Sequence, residues 1–391
     1  NANFESFIKV IKVDAESGKT IPYAGAGFQI YRPDGTKVEM TFTYPEVTTI
    51  DTFYTNDAGM LITPEKLEFG KGYSLVEVSA PYGYVLSSDP VKFDVTEDNS
   101  SEDSGVKVIE VKLGNYAQKG IIKISKSGEV FATVTEADGM YQPVYEVQGL
   151  AGATYEIKAA EDIYTLDGTL RYSAGEVVDT VTTGEDGVAE SKPLYLGKYE
   201  VREIKAPYGY VLNNEPKDVE LTYAGQEFEV RDTVNTAFEN EYQSVRISLS
   251  KVMESDEQFG IYGKDCYTSV RFGLFAAEDI QAADGTVIPA DGFLSEVSLD
   301  ENMNAKFDVQ IPFGRYYVQE IVTDEHYVLN GEKYLVTFEY MGQEVTTVSI
   351  DCGQFVNELK HGKVEGIKVN ESDEPLENAV FGLFTADCVK F

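Results

Sequence analysis

The chain has 391 residues and a formal net charge of −35, with 67 Asp and Glu against 32 Lys and Arg. That balance lacks the basic footprint a nucleic-acid binder needs and would be repelled by an anionic membrane surface. Hydrophobic residues make up 42% of the chain, Tyr and Phe supply all the aromatics and Trp is absent, which points to a globular, all-β protein of several domains.

In chain order, the first informative elements are KVD at Lys12 to Asp14, GAGF at Gly25 to Phe28 and the turn NDAG at Asn56 to Gly59. YSLVEVSAPYGYVL then runs from Tyr73 to Leu86. Its first half alternates, so Tyr73, Leu75 and Glu77 share one strand face, and the two large apolar neighbours carry Glu77 into the core. A buried carboxyl is costly unless it is paired or protonated. Asn115 opens NYAQKGIIKISK, whose alternating second half places Lys126 on a strand.

The same order then repeats. Lys126 is followed by GATY (Gly152 to Tyr155), the turn GEDG (Gly184 to Gly187), YEVREIKAPYGYVL with Glu203, and Asn240 in NEYQSVRISLSK. Lys251 is followed by FGLF (Phe272 to Phe275), YYVQEIVTDEHYVL with Glu320, and Asn357 in NELKHGKVEGIK. Glu-to-Asn separations are 38, 37 and 37 residues, and Lys126, Lys251 and Lys368 each follow an Asn by eleven. Asn1 and Lys12 share that interval, although Asn1 and Ala2 also read as a cloning scar. The repeat divides the chain into modules 1–117, 118–242 and 243–359, with 360–391 beginning a fourth, incomplete one whose candidate lysine is Lys368. Each full module has the size and turn density of an immunoglobulin-like β-sandwich.

The lysine, GA-x-aromatic and glutamate motifs resemble those of the B-type repeats of collagen adhesins, also called Cna-B, SpaA-type or prealbumin-like domains, found in surface adhesins and pilins of Gram-positive bacteria. The resemblance covers nearly the whole chain. It implies tandem β-sandwiches arranged as a rod, each locked by a Lys–Asn isopeptide bond: Lys12 with Asn115, Lys126 with Asn240, and Lys251 with Asn357. It assigns Glu77, Glu203 and Glu320 as the proton shuttles of a single-turnover self-modification. The third box departs from the pattern, with Thr323, Asp324 and His326 where the others have Ala, Pro and Gly, so its turn is expected to differ.

Other chemistry is weakly supported. Cys266, Cys352 and Cys388 make no disulfide framework and no zinc pattern, and their pairing is open. Asp300, Asn302 and Asn304 have the alternate spacing of a calcium loop but lack its central Gly and distal Glu, so no metal site and no cofactor are expected. His326 and His361 have no nucleophile motif beside them, which argues against an enzyme. No apolar run is long enough to span a membrane, and the chain reads as a piece of a longer exported protein. The function expected is an extracellular stalk at the cell surface or cell wall that presents an adhesive tip. A pilin subunit is the alternative, although TYPE (Thr43 to Glu46) has Glu where a linking lysine is wanted. A ligand-binding adhesin module is a third reading, with the Tyr-rich, acidic insertion between Lys126 and Gly152 as its candidate surface and a variable loop as the plain alternative. Expected partners are a host matrix protein or a glycan, met outside this chain, which itself would be a monomer or covalently wall-anchored.

Overall fold

The computed structural model describes residues 4–384, apart from the side chains of residues 231 and 232. Asn1, Ala2 and Cys388 lie outside the described residues. The architecture is all-β, and no helix among the described residues is long and apolar enough to cross a membrane. The chain forms two compact units. One comprises Asn1–Ser127, Gly149–Pro207 and Leu212–Glu239; the other comprises Gly128–Gln148, Tyr208–Val211 and Asn240–Phe391.

The first unit holds two sandwiches. In the first, the strand carrying the lysine (Glu5–Asp14) lies between the strand ending in the asparagine (Val106–Asn115) and the short strand Met60–Ile62. The facing sheet centres on Gly27–Tyr31 and the glutamate strand Gly70–Ser79. Ile8, Val10, Phe28, Ile30, Leu75 and Val111 fill the space between. The second sandwich repeats the plan with Thr154–Ala159 and the glutamate strand Gly197–Lys205, over a core that includes Ile122, Ile124, Tyr155 and Val201.

The second unit contains the third sandwich, with lysine strand Ser244–Met253, glutamate strand Gly314–Val322 and asparagine strand Thr347–Asn357. In the first and third sandwiches the lysine and asparagine strands pair in parallel, with Lys12 opposite Leu113 and Lys251 opposite Phe355. Parallel neighbours cannot be joined by a hairpin, so the whole module must intervene between them. The chain therefore enters each of these modules at one pole and leaves at the other.

One turn serves all three lysines. The Lys12, Lys126 and Lys251 backbone N–H groups donate to the carbonyls of Gly59, Gly187 and Met303, all in left-handed conformation. Gly59 has no alternative, since a Cβ there would lie 1.9 Å from the Ile21 carbonyl oxygen. Asp300, considered above as a calcium ligand, belongs to this turn: its Oδ1 accepts the N–H groups of Asn302 and Asn304, as Asn56 does from Ala58 and Met60.

The insertion after Lys126 is not a loop. It is a two-stranded arm, Lys119–Ala137 against Met140–Gly149, closed by Asp138 and Gly139 at φ 52° and 77°, the tight turn that hairpins prefer. Within the second unit Phe131, Val134 and Tyr141 pack against the third sandwich's core, and Met140 bridges to Phe293. Phe131, Val134 and Tyr141 are thereby turned to that core, while Val147 stays exposed. The segment after Leu359 exposes Lys368 and FGLF, as a piece too short to bury a core of its own must.

Candidate cross-link sites

Each sandwich core holds one lysine, one glutamate and one asparagine. Lys12, Glu77 and Asn115 are 0%, 3% and 1% exposed; Lys126, Glu203 and Asn240 are 1%, 0% and 3%; Lys251, Glu320 and Asn357 are 3%, 1% and 1%. Alternation accounts for this. In Glu5–Asp14 the inward positions are Ile8, Val10 and Lys12, so the lysine takes the next core position of an apolar row. The asparagine is the last residue of its strand in all three modules.

In the first site Lys12 Nζ lies 3.4 Å from Glu77 Oε1 and donates to the Leu113 carbonyl at 2.9 Å. Asn115 Nδ2 donates to Glu77 Oε2 at 2.6 Å and also to the Val85 carbonyl. Glu77 Oε1 and Asn115 Oδ1 are buried without a hydrogen-bond partner. In the second site Lys126 Nζ is 3.2 Å from Glu203 Oε1, with both side chains fully buried. In the third, Lys251 Nζ is 2.7 Å from Glu320 Oε1 and 2.5 Å from Asn357 Oδ1, while Asn357 Nδ2 donates to both Glu320 oxygens and to Thr323 Oγ1.

Burial pushes the Lys12 amine down to about 8 against the opposing pull of Glu77. It lowers Lys126 and Lys251 as well, for the same reason. Each downward shift eases loss of the ammonium proton, which the amine must give up before its lone pair is free.

Three supports went unread in the sequence. The first is a backbone N–H ten residues past each glutamate, from Ser87, Asn213 and Asn330, which donates to Oε2 at 2.8, 3.0 and 2.8 Å and leaves Oε1 facing the lysine. The second is the tyrosine that ends each box. Tyr84 donates to Asp14 Oδ2, Tyr210 to the Glu129 carbonyl and Tyr327 to the Glu254 carbonyl, pinning the turn to the chain just after the lysine. The third is a ring facing each glutamate across the sheet: Phe28 opposite Glu77, Tyr155 opposite Glu203 and Phe272 opposite Glu320, each beside a register shift. Such irregularities re-aim a side chain next to a reactive site. Ser87, Asn213 and Asn330 carried no sequence signal, because the donor is main chain. The tyrosine is visible in the sequence, since all three boxes keep it, as they keep the opening Tyr73, Tyr199 and Tyr316 and the glutamate.

Among the described residues Cys266 and Cys352 are free thiols and no His/Cys/Asp/Glu group could hold a metal ion.

Comparison with known proteins agrees with this architecture. Residues 6–108 and 144–236, half of the chain, match the SpaA prealbumin-like fold domain. The trypsin-resistant surface T6 protein of Streptococcus pyogenes serotype M6 is 31% identical over 88 residues, which is 22% of this chain and 15% of that protein. The solved Bacillus anthracis TIE protein aligns over 90% of this chain and 51% of its own, at 22% identity and a TM-score of 0.52, a likeness of fold. BcpA, the major pilin subunit of Bacillus cereus, aligns over 91% of this chain and 100% of its own at 16% identity, with a TM-score of only 0.29. The chain thus spans about half the length of the TIE protein and a small part of T6. With two matched domains and a third built on the same strand plan and the same buried trio, this chain belongs to the SpaA family of prealbumin-like fold domains.

Proposed function

We propose that this chain is a load-bearing stalk segment of a Gram-positive surface protein, in which each module closes its own Lys–Asn isopeptide bond. The observation that carries the reading is the threefold recurrence of a dry Lys–Glu–Asn trio. A chance buried ion pair is weak evidence for stability and has no reason to recur beside an asparagine.

The chemistry balances without a co-reactant. A proton moves from the Lys ammonium to the Glu carboxylate, leaving a neutral amine and a carboxylic acid. Nζ then attacks Cγ of the asparagine. The carboxyl gives its proton to Nδ2 and takes one from Nζ, the Cγ–Nδ2 bond breaks, and ammonia leaves. Glu77 and Glu320 touch both nitrogens concerned, so one group can serve both transfers. Folding supplies the proximity that makes an amide react. No external substrate is turned over.

The consequence is mechanical. A pull on the two ends of the first module passes along Glu5–Asp14 as far as Lys12, crosses to Asn115 and leaves, so the hydrogen-bond ladder is not loaded. By analogy with a disulfide, closing a loop of ~100 residues adds ~4–5 kcal/mol. The name of the trypsin-resistant streptococcal relative describes the kind of durability such ties would confer. A cell-surface location and an adhesive tip beyond this chain complete the proposal. The pilin-subunit reading has less support, because the exposed Tyr44 turn offers Glu46 and no lysine.

Intact-mass measurement of the whole chain tests this directly. Three closed bonds remove three ammonia masses, and a mass equal to that of the plain sequence rejects the proposal.

A further inference from the structure

The isopeptide chemistry leaves part of the glutamate box without a task. Between the glutamate and its supporting N–H lies Ala80-Pro81-Tyr82-Gly83, repeated as Ala206-Pro207-Tyr208-Gly209 and replaced in the third box by Thr323-Asp324-Glu325-His326. The linker glutamine three residues past the asparagine follows the same division: Gln118 and Gln243 are present, and Lys360 takes the third place.

Within the first unit these residues meet the loop Tyr223–Phe228 of the second module. The Gln118 side chain is 1% exposed. Its amide nitrogen donates to the carbonyls of Gly225 and Phe228, both at 2.7 Å, and its amide oxygen accepts the Ala224 N–H at 2.7 Å. Its backbone N–H holds the Gly83 carbonyl at 2.9 Å. The loop answers with Gln226, whose Oε1 accepts the Ala80 N–H at 2.8 Å and whose backbone oxygen accepts that of Leu86 at 2.8 Å. The Tyr82 and Tyr223 ring centroids are 4.6 Å apart, and the Tyr223 hydroxyl donates to the Tyr84 carbonyl.

Within the second unit the glutamine and tyrosine contacts recur. Gln243, also 1% exposed, donates to the carbonyls of Gly342 and Val345 and accepts the Met341 N–H. Its own N–H holds the Gly209 carbonyl. Tyr208 lies 4.7 Å from Tyr340, whose hydroxyl donates to the Tyr210 carbonyl. At the third box only the main-chain part survives: the Lys360 N–H holds the His326 carbonyl, and the exposed Lys360 side chain turns to the Glu325 carbonyl.

We propose that the Ala-Pro-Tyr-Gly turn and the linker glutamine form a docking site for the Tyr-x-Gly loop of the following module, independent of the bond chemistry. A primary amide is suited to it, because one side chain supplies two donors and an acceptor to a backbone loop. An unmade bond at so buried a site is costly. The division of labour explains why the third box has drifted around an intact trio: it has lost the two side chains of the clamp and kept the glutamate. The proposal stands on these contacts and does not require that any bond has closed.

The test is the full chain carrying Tyr82→Ala and Gln118→Ala, with Gln118→Glu as an isosteric second variant that sets a carboxylate against two carbonyls. Intact mass reads the bonds, and trypsin cleavage after Lys119 reads the joint. The expected result is an unchanged mass deficit relative to wild type, with cleavage after Lys119 at least tenfold faster in both variants. Loss of the first module's ammonia deficit would assign the turn to the chemistry and overturn the proposal. Unchanged cleavage would overturn it too, by showing that the joint is held elsewhere, as by the 2.7 Å ion pair of Arg171 with Asp14. A wild-type chain with no mass deficit would refute the bonds while leaving the cleavage comparison valid.

Discussion

Lys251 donates a 2.5 Å hydrogen bond to Asn357 Oδ1, whereas Lys12 directs its hydrogen bond to the Leu113 carbonyl and leaves Asn115 Oδ1 unpartnered. The module with the most divergent box therefore has its amine and amide in direct contact. Thr323, which stands where the first box has Ala80, adds a hydroxyl contact to the leaving nitrogen.

The third bond should accordingly form in full. Tryptic peptides containing Lys251 and Asn357 should be recovered as one branched species lacking one ammonia. Thr323→Ala removes a single contact, commonly ~1 kcal/mol, so closure should slow up to about fivefold and still finish. Recovery of the two peptides as separate, full-mass species would refute this.

Replacing Glu77 should cost more than the bond. From sequence, Glu77→Ala is expected to leave the fold intact and delete one cross-link. The structure adds that Lys12 would stay buried without its counter-charge and the Ser87 N–H without its acceptor. Breaking a buried pair costs ~3–5 kcal/mol. Glu77→Ala should therefore melt module 1 well below Asn115→Ala, although both restore one ammonia of mass. Equal melting temperatures would show that the pair contributes nothing once the bond is absent.

The unreacted lysine gives a pH signature. In Asn115→Ala the Lys12 amine persists, with a folded pKa of about 8 against an unfolded value of ~10.4. Between those values the unfolded chain binds more protons, so stability should rise with pH across that window and level off above it. A chain carrying both Lys12→Met and Asn115→Ala lacks the amine and should lack this increment. Chemical denaturation at pH 8 and pH 10 measures the difference; identical slopes would contradict the lowered amine.

The arm offers a prediction that crosses the sequence boundary drawn at residue 242. Phe131 packs against the core of the third sandwich. Phe131→Ala should destabilise module 3 by ~1–2 kcal/mol, the cost of losing a half-buried ring, and leave the melting of module 1 unchanged. Calorimetry with assigned transitions would decide it, and an unperturbed module 3 would mean that the arm contributes nothing there.

Much of this was legible because strands have a period of two. Tyr73, Leu75 and Glu77 alternate, and so do Ile8, Val10 and Lys12, so the inward placement of Glu77 and Lys12 could be read directly. The arm departs from both readings of the insertion, candidate ligand surface and variable loop, although Asp138-Gly139 between alternating residues is a strong hairpin signal. The support of Glu77 by the Ser87 N–H was beyond reach, since a main-chain donor leaves no trace in residue type. The Gln118 clamp was hidden for a related reason: its partners are carbonyls and an N–H of another module, and only the residues that supply the side chains are written in the sequence.

The parallel placement of Lys12 beside Leu113 also governs contour length. With all bonds closed, the covalent path from one module to the next runs only from Asn115 to Lys126 and from Asn240 to Lys251, eleven residues each, or ~40 Å at full stretch. Without them, the path from Lys12 to Lys126 alone is 114 residues, nearly 400 Å at the same extension. A tethered chain so built has almost no slack to release under tension. With every bond closed it is also tolerant of damage: a cut anywhere between Lys12 and Asn115 opens a loop and severs nothing, so between Lys12 and Asn357 a protease can disconnect the chain only in the short stretches from one module's asparagine to the next module's lysine.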